Sequence, residues 1–398
     1  MLELDTVQTL ALGGLALFLG YGLCRAVPVL GRYNLPPPVV GGLVFALLAT
    51  LAHARGTSLY TLDTSLQTPL MVAFFTTLGF NASLRLLRIS GRQVALFLLL
   101  ATVLAVLQNL LGAAVATAFG LPPLFGVLAG STTMTGGPAT GLAFAPLFEA
   151  AGVQGAATIA VATAMSGILL GGLIGAPLAT LMIRRHRLVS MQPGARVAPD
   201  DAGPVEAGTE AQREYRALKS LVMILLAMWL GGWVSGLLEG AGLTLPAYVG
   251  AMLVGAVVRN LDDRTRLVGL SVPTTELIGN VCLSLFLAVA LMNLKLWELA
   301  GLALPLLVNL GLQAALVAAF CALVFRAMGR DYDAAVMGGG FIGFMLGTTA
   351  NAMAVMRTLV ERYGAAPRAF LVAPLVGAFF IDFTNALIIT GFINLWPH

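Results

Sequence analysis

The sequence contains few charged residues. Only 10% of its 398 residues are Asp, Glu, Lys or Arg, while 59% are hydrophobic. Soluble domains carry roughly 25% charged residues, so this composition excludes an ordinary soluble globular protein. The basic residues are confined to predicted loops and are not interleaved with aromatic residues, which excludes a nucleic-acid-binding stripe. The composition therefore predicts a protein that crosses a lipid bilayer several times.

Histidine and cysteine are also scarce, with three of each. None of the histidines falls in a predicted span, so an intramembrane serine protease is excluded. An intramembrane aspartyl protease needs two membrane aspartates, and only Asp382 lies near the centre of a span. The cysteines lack metal-ligand spacing, which predicts no transition-metal site, and the absence of a phosphate-binding loop motif excludes direct use of ATP. We therefore expect a protein that is not an enzyme.

Apolar runs of spanning length predict an all-α protein with about ten transmembrane helices and two shorter helical hairpins. The hairpins cover residues 122–147 and 334–359. A polar, cytoplasmic linker at 184–220 separates residues 1–183 from residues 221–398, and each part holds five spans and one hairpin. An odd number of spans forces the two parts to insert in opposite orientations. The sequence thus predicts an inverted repeat, an architecture common among transporters.

The distribution of basic residues predicts the orientation of the chain. With the N-terminus outside, only Arg55 and Lys295 of the 22 basic residues lie outside, as the positive-inside rule requires. Both termini are then external. The first apolar run, from Val7 to Leu30, is too long for the apolar region of a signal peptide and is predicted to be the first span.

Each predicted hairpin is interrupted by a run rich in Gly and Thr, at residues 130–141 (GSTTMTGGPATG) and 338–351 (GGGFIGFMLGTTAN). Broken backbone at membrane depth is tolerated only where it is buried in protein or lines a cavity. Two helix N-termini that face each other there would form an anion site without arginine. The alternative is that the glycines serve close helix packing. The candidate substrate-binding residues are Thr133, Thr135, Gly136, Gly137, Thr140, Gly347, Thr348, Thr349 and Asn351.

An N-capping residue is expected at the start of each returning helix. In the first hairpin the candidates are Thr135 and Thr140. In the second hairpin they are Thr349 and Asn351.

Asp382 is costly in a span unless it is paired, coordinated or hydrated. Asn385 shares its helix face, and together with threonine hydroxyls these two residues offer the oxygen ligands that Na⁺ prefers. The alternatives are a packing role for Asp382 or a proton-carrying carboxylate. Asn81 and Asn293 occupy matching repeat positions and serve either as helix caps and interhelical contacts or in the site. The candidate sodium ligands are Asp382, Asn385, Ser131, Thr132, Asn81 and Asn293.

Other polar residues in apolar helices are predicted to make interhelical hydrogen bonds, namely Gln108, Asn109, Asn280 and Gln313. Lys295, with the nearby Trp297 and Glu298, is predicted to anchor a span end at the interface.

Several ungapped runs resemble the bacterial sodium/glutamate symporter family. They are residues 37–42 (PPVVGG), 69–75 (PLMVAFF), 279–288 (GNVCLSLFLA) and 376–382 (VGAFFID). The resemblance covers nearly the whole chain. It implies Na⁺-coupled uptake of L-glutamate, Na⁺ as the coupling ion, re-entrant hairpins, a homodimer in the bacterial inner membrane and an elevator-type mechanism.

The chain differs from the family pattern at the hairpin tips. Pro138-Ala139 stands where the family carries His and Gly, and Phe341 stands where a second histidine is common. The alternative function is therefore Na⁺- or H⁺-coupled transport of another small carboxylate or amino acid on the same scaffold. A channel would share the re-entrant loops, but the duplication and the single carboxylate at the midplane favour alternating access.

Overall fold

The computed structural model describes residues 2–32, 35–57, 59–85, 91–190, 209–240, 246–299 and 301–396. Helices dominate these residues, as predicted for an all-α membrane protein. The predicted linker is described only in part, since residues 191–208 lie outside the described ranges.

The first half of the chain contains one short strand pair and eight described helices. The elements are β1 Leu2–Leu4, α1 Thr6–Ala26, α2 Pro28–Arg32, α3 Pro37–Ala54, β2 Tyr60–Leu62, α4 Gln67–Asn81, α5 Gly91–Ala118, α6 Pro123–Val127, a π-helical segment Leu128–Thr132, α7 Gly137–Ala150 and α8 Ala156–Arg185. The strands pair in parallel, with Leu2 opposite Tyr60.

The second half of the chain contains eight described α-helices, a 3₁₀ turn and one π-helical segment. Its elements are α9 Glu210–Gly240, α10 Ala247–Thr265, α11 Val272–Met292, a 3₁₀ turn Leu296–Leu299, α12 Ala303–Ala327, α13 Tyr332–Met345, α14 Thr349–Tyr363, α15 Pro367–Leu375, a π-helical segment Val376–Phe380 and α16 Ile381–Leu395. The helix α9 begins within the predicted linker because residues 210–219 (EAQREYRALK) are helix formers without Gly or Pro.

Seven of the described helices are long and apolar enough to cross a membrane: α1, α3, α5, α8, α9, α11 and α12. The other three predicted spans contain α4, α10 and the pair α15 and α16. The fold is therefore that of a multi-pass membrane protein. The count of ten spans and the inverted insertion of the two halves stay predictions.

The chain forms two compact units, and neither corresponds to one half of the sequence. We call them the span unit and the hairpin unit. The span unit comprises Met1–Leu23, Pro37–Ile89 and Pro199–Leu294, and the hairpin unit comprises Cys24–Pro36, Ser90–Ala198 and Lys295–His398. Each half of the chain therefore contributes its first three predicted spans to one unit and its later helices to the other.

Within the span unit, helices approach each other closely where glycines face a neighbouring backbone. Gly79 on α4 and Gly255 on α10 face each other's helices, and a Cβ at Gly79 would collide with the carbonyl of Met252. Small residues allow this packing, which is typical of helices in membranes. Phe80 and Ile224 extend the contact to α9 in a buried cluster.

Within the hairpin unit, α6, the first π-helical segment and α7 form the first hairpin, and α13 and α14 form the second hairpin. The first hairpin packs on α5, where Gly112 and Gly126 bring two backbones into contact. Phe341 of the second hairpin is fully buried between Phe97 and Phe320, at ring-centroid distances of 5.3 and 6.4 Å. Aromatic packing thus fixes α13 against α5 and α12.

Candidate functional site

The first π-helical segment is held by three asparagines from three different helices. The Asn109 side chain accepts a hydrogen bond from the Ser131 amide at 2.8 Å, and the Asn309 amide donates to the Ala129 carbonyl at 2.7 Å. The Asn385 amide donates to the Ser131 carbonyl at 3.0 Å. These side chains replace helical hydrogen bonds that are lost here, because the backbone of Gly130 is not helical.

Buried oxygens of the segment, and of two asparagines that hold it, have no hydrogen-bond partner among the described residues. They are the hydroxyls of Ser131 and Thr132 and the side-chain carbonyls of Asn309 and Asn385. All four residues are buried within the chain. An unpartnered buried oxygen typically costs 1–3 kcal/mol, and Ser131 and Asn385 are in direct contact. Such a group of oxygens is suited to bind a cation.

Asp382 lies one helical turn before Asn385 on α16 and directly after the second π-helical segment. No described residue donates a hydrogen bond to its carboxylate, which is half-buried. Asp382 is therefore a carboxyl group one helical turn from the unpartnered side-chain carbonyl of Asn385. Within the described residues there is no group of three His, Cys, Asp or Glu side chains that would hold a transition metal.

Gln108 on α5 joins the two hairpins. Its side-chain carbonyl accepts a hydrogen bond from the Thr135 hydroxyl at 2.8 Å, and its amide donates to the Met345 carbonyl at 2.9 Å. Gln313 donates to the backbone carbonyl of Gln108 at 2.8 Å. The predicted interhelical hydrogen bonds of Gln108, Asn109 and Gln313 are therefore confirmed. The same prediction is wrong for Asn280, which is exposed on α11 and whose side chain makes no recorded hydrogen bond to another described residue.

The tips of the two hairpins lie close together. Gly137, the first residue of α7, has a φ of +65°, and a Cβ built on it would lie 3.4 Å from Cγ2 of Thr348. Glycine adopts this conformation without strain. The helices α7 and α14 therefore begin next to each other in space. Their first N–H groups have no partner inside the helices.

The predicted N-caps are wrong in both hairpins. The returning helix α7 follows Gly136, which has no side-chain cap, because the chain enters the helix through glycine rather than through Thr135 or Thr140. The helix α14 is capped by Thr348, whose hydroxyl accepts a hydrogen bond from the backbone amide of Asn351 at 3.3 Å. Thr349 and Asn351 lie inside the helix instead.

Asn351 ties the second hairpin to its surroundings. Its side-chain amide donates to the carbonyls of Ile168 on α8 and Gly343 on α13, at 3.0 and 3.3 Å. A Cβ at Gly347 would lie 2.7 Å from the nitrogen of that amide. The tip of the second hairpin is thus fixed by side-chain hydrogen bonds.

The remaining candidate residues of the tips differ in whether their hydroxyls are in use. Thr133 donates to the Leu128 carbonyl at 2.8 Å, and the Thr135 hydroxyl is bound to Gln108. The structure records no hydrogen bond for the hydroxyls of Thr140 and Thr349 within its described part. These two hydroxyls are the ones that remain for a ligand.

Asn81 and Asn293 belong to the span unit and are not part of the cluster in the hairpin unit. Asn81 ends α4, and its amide donates to Glu276 at 3.4 Å. Asn293 is exposed and follows α11 directly. Both positions agree with the interpretation as helix ends and interhelical contacts, while their role as sodium ligands stays a prediction.

Sequence reasoning did not single out Asn309, although it holds the π-helical segment. The rule that identified Gln108, a polar amide in an apolar span, applies equally to Asn309. Lys295 and Glu298 form a local ion pair, with 3.9 Å between their charged atoms, while the anchoring of a span end by this group stays a prediction.

Both units contain long apolar helices, and the hairpin unit also contains broken helices and a group of buried oxygens. This combination is typical of a multi-pass membrane transport protein. The sequence profile of the sodium/glutamate symporter family matches residues 2–365. The chain is 43% identical over 398 residues to the sodium/glutamate symporter of Escherichia coli K12, covering 99% of each chain. It is 38% identical over 393 residues to that of Haemophilus influenzae, covering 97% of this chain and 96% of the relative. The chain belongs to the sodium/glutamate symporter family, whose members are transporters and not enzymes.

Proposed function

We propose that this protein carries L-glutamate into the cell together with Na⁺. Family membership and full-length similarity to two sodium/glutamate symporters support this function. The observation that carries the proposal is the set of unpartnered, buried oxygens on Ser131, Thr132 and Asn385 beside the carboxylate of Asp382. Transporters bind coupling ions at such breaks in membrane helices.

The sodium site of this proposal consists of two hydroxyls, one amide carbonyl and one carboxylate. The Ser131 carbonyl already accepts hydrogen bonds from Thr135, Gly136 and Asn385, so the side-chain oxygens are the free ligands. Na⁺ bound there neutralises Asp382 and removes the cost of the unpartnered oxygens.

The substrate site of this proposal lies at the adjacent starts of α7 and α14. The partial positive charge of two helix N-termini binds a substrate carboxylate, and the free hydroxyls of Thr140 and Thr349 add hydrogen bonds. Ser131 and Thr132 belong to the same hairpin as Gly137, so an ion bound at the π-helical segment also orders the substrate tip. This linkage couples the two binding events.

We further propose that the hairpin unit is the moving part of an elevator-type cycle, since it contains both tips and the candidate ion ligands. The protein acts as a homodimer in the bacterial inner membrane, with both termini periplasmic. The asymmetry of basic residues supports this orientation.

Uptake of labelled L-glutamate by purified protein in liposomes tests the function. We expect accumulation only with an inward Na⁺ gradient, with no accumulation under a K⁺ gradient or a proton gradient alone. Accumulation driven by the proton gradient would replace Na⁺ coupling with H⁺ coupling. Na⁺-dependent uptake of another small carboxylate without glutamate uptake would show that the substrate is not glutamate and that the Na⁺-coupled mechanism is correct. The exchange of His and Gly for Pro138-Ala139 makes this second outcome worth measuring.

A further inference from the structure

A groove in the hairpin unit lies between the C-terminal ends of α8 and α14, away from the hairpin tips. It has a volume of about 440 Å³, which is large enough for a small ligand. Pro177, Leu181 and Leu359 form its apolar part, and Thr180, Arg184 and Arg362 form its polar part. We call it the basic groove.

The two arginines lie at the same end of the basic groove. Arg184 is in the last turn of α8 and Arg362 is in the last turn of α14. Both side chains are exposed, and neither forms an ion pair among the residues that the structure describes. No Asp or Glu lines the groove, so its charge is not balanced from within.

The ring of Tyr363 also lies beside the arginines. Its hydroxyl is in hydrogen-bonding contact with Arg184 and Thr180, which both line the basic groove, and Arg362 lies 5.4 Å from the centre of its ring. Tyr363 therefore holds the two arginines at one end of the groove. An anionic ligand with several acceptor oxygens would bind both arginines there.

The apolar part of the basic groove determines the kind of anion. Pro177 is exposed and Leu181 is 58% exposed, on a helix that is long and apolar enough to span the membrane. In a membrane such a surface faces acyl chains. The arginines therefore stand where a phospholipid places its phosphate, at the end of a spanning helix that the sequence predicts to be cytoplasmic.

We propose that the basic groove binds an anionic phospholipid, with the phosphate between Arg184 and Arg362 and an acyl chain along Pro177 and Leu181. The lipid links the end of α8 to the end of α14, the helix whose other end carries Thr348. This site is separate from the substrate and ion sites, and the proposal does not depend on which ion or substrate is carried.

Thermal unfolding of the purified protein in neutral detergent, titrated with phosphatidylglycerol or phosphatidylcholine, tests this site. We expect phosphatidylglycerol to stabilise the protein and phosphatidylcholine to have little effect. In the R184Q/R362Q variant the apparent affinity for phosphatidylglycerol should fall about 30-fold, since each basic residue near an anionic lipid contributes roughly a factor of five. The matched control R185Q/R357Q changes the same charges on the same helices outside the groove and should retain the affinity.

Each of the following outcomes would overturn the proposal. The first is an unchanged affinity in R184Q/R362Q, and the second is an equal loss in R185Q/R357Q. The third is full stabilisation of the wild-type protein by inorganic phosphate, which would assign the arginines to a free anion instead of a lipid. If the double variant does not fold, the single variants R184Q and R362Q should each bind phosphatidylglycerol about fivefold more weakly. Unchanged affinity in both would also overturn it.

Discussion

The first hairpin turns through a π-helical segment and enters its returning helix without a side-chain cap, whereas the second hairpin turns into a helix capped by Thr348. In the second hairpin, the Asn351 amide is fully used in hydrogen bonds to two carbonyls. In the first, the hydroxyls of Ser131 and Thr132 are buried without partners.

This difference separates two tasks that the repeated sequence pattern does not separate. A hairpin whose buried polar groups are satisfied is stable without a ligand, and one with unpartnered buried oxygens gains stability when an ion binds. We therefore expect the first hairpin to respond to Na⁺ and the second to provide a fixed surface for the substrate. Four variants test this division.

The largest effect is expected from the double variant S131A/T132V. It removes two of the proposed sodium ligands without changing the volume of the site much, and the apparent affinity for Na⁺ should fall about 100-fold, because each lost ligand costs roughly 1 to 2 kcal/mol. Na⁺-dependent thermal stabilisation and glutamate uptake measure this change. The control S166A/T163V removes two hydroxyls of α8 that bind only helical carbonyls. Equal Na⁺ affinity in both variants would show that Na⁺ does not bind to the hydroxyls of the first hairpin.

A smaller effect, on stability instead of ion binding, is expected from Asn351→Ala. The variant leaves the carbonyls of Ile168 and Gly343 without their side-chain donor, so the free energy of unfolding should fall by about 2 kcal/mol. Thermal unfolding without Na⁺ measures it, with the exposed Asn280→Ala as the control. A loss of Na⁺ affinity with unchanged stability would reverse the assigned roles of the two hairpins.

Thr348→Val removes the N-cap of α14 and should lower stability by about 1 kcal/mol. Thr348→Ser retains the hydroxyl and should restore it. The same melting experiment reports both variants. If Thr348→Val and Thr348→Ser have the same melting temperature, the hydrogen bond from the backbone amide of Asn351 to the side chain at position 348 does not stabilise the hairpin.

The smallest effect on stability is expected from Thr140→Val, since this hydroxyl has no described partner. The free energy of unfolding should change by less than about 0.5 kcal/mol, while the KM for glutamate should rise several-fold. Thr349→Val provides the equivalent test on the second hairpin. If the KM is unchanged in both variants, the substrate does not contact these hydroxyls.

Much of the fold was predictable because it follows from hydrophobicity and chain length. The two interrupted runs at 130–141 and 338–351 do fall at the tips of two hairpins, and the polar amides of Gln108 and Gln313 do join helices. Polarity predicts a linker over residues 184–220 but does not show that α9 already begins at Glu210, where the residues favour a helix.

The details of the tips were less predictable. The choice of an N-cap among nearby polar residues depends on the backbone angles at one residue, and the sequence does not show these angles for either of the two candidates in each hairpin. The position of Phe341 shows the same limit. Its place in the family pattern suggested a tip residue, whereas the structure buries it between Phe97 and Phe320.

The two π-helical segments, Leu128–Thr132 and Val376–Phe380, have a consequence for how this chain tolerates changes in length. Such a segment holds one residue more than the α-helix it interrupts, and each residue of a helix turns the chain by about 100°. Deletion of one residue from the second segment would therefore restore a regular helix from α15 to α16 and rotate Asp382 and Asn385 by about 100° from their present direction. A variant that lacks one residue there should retain its membrane-spanning helices and lose Na⁺-coupled transport.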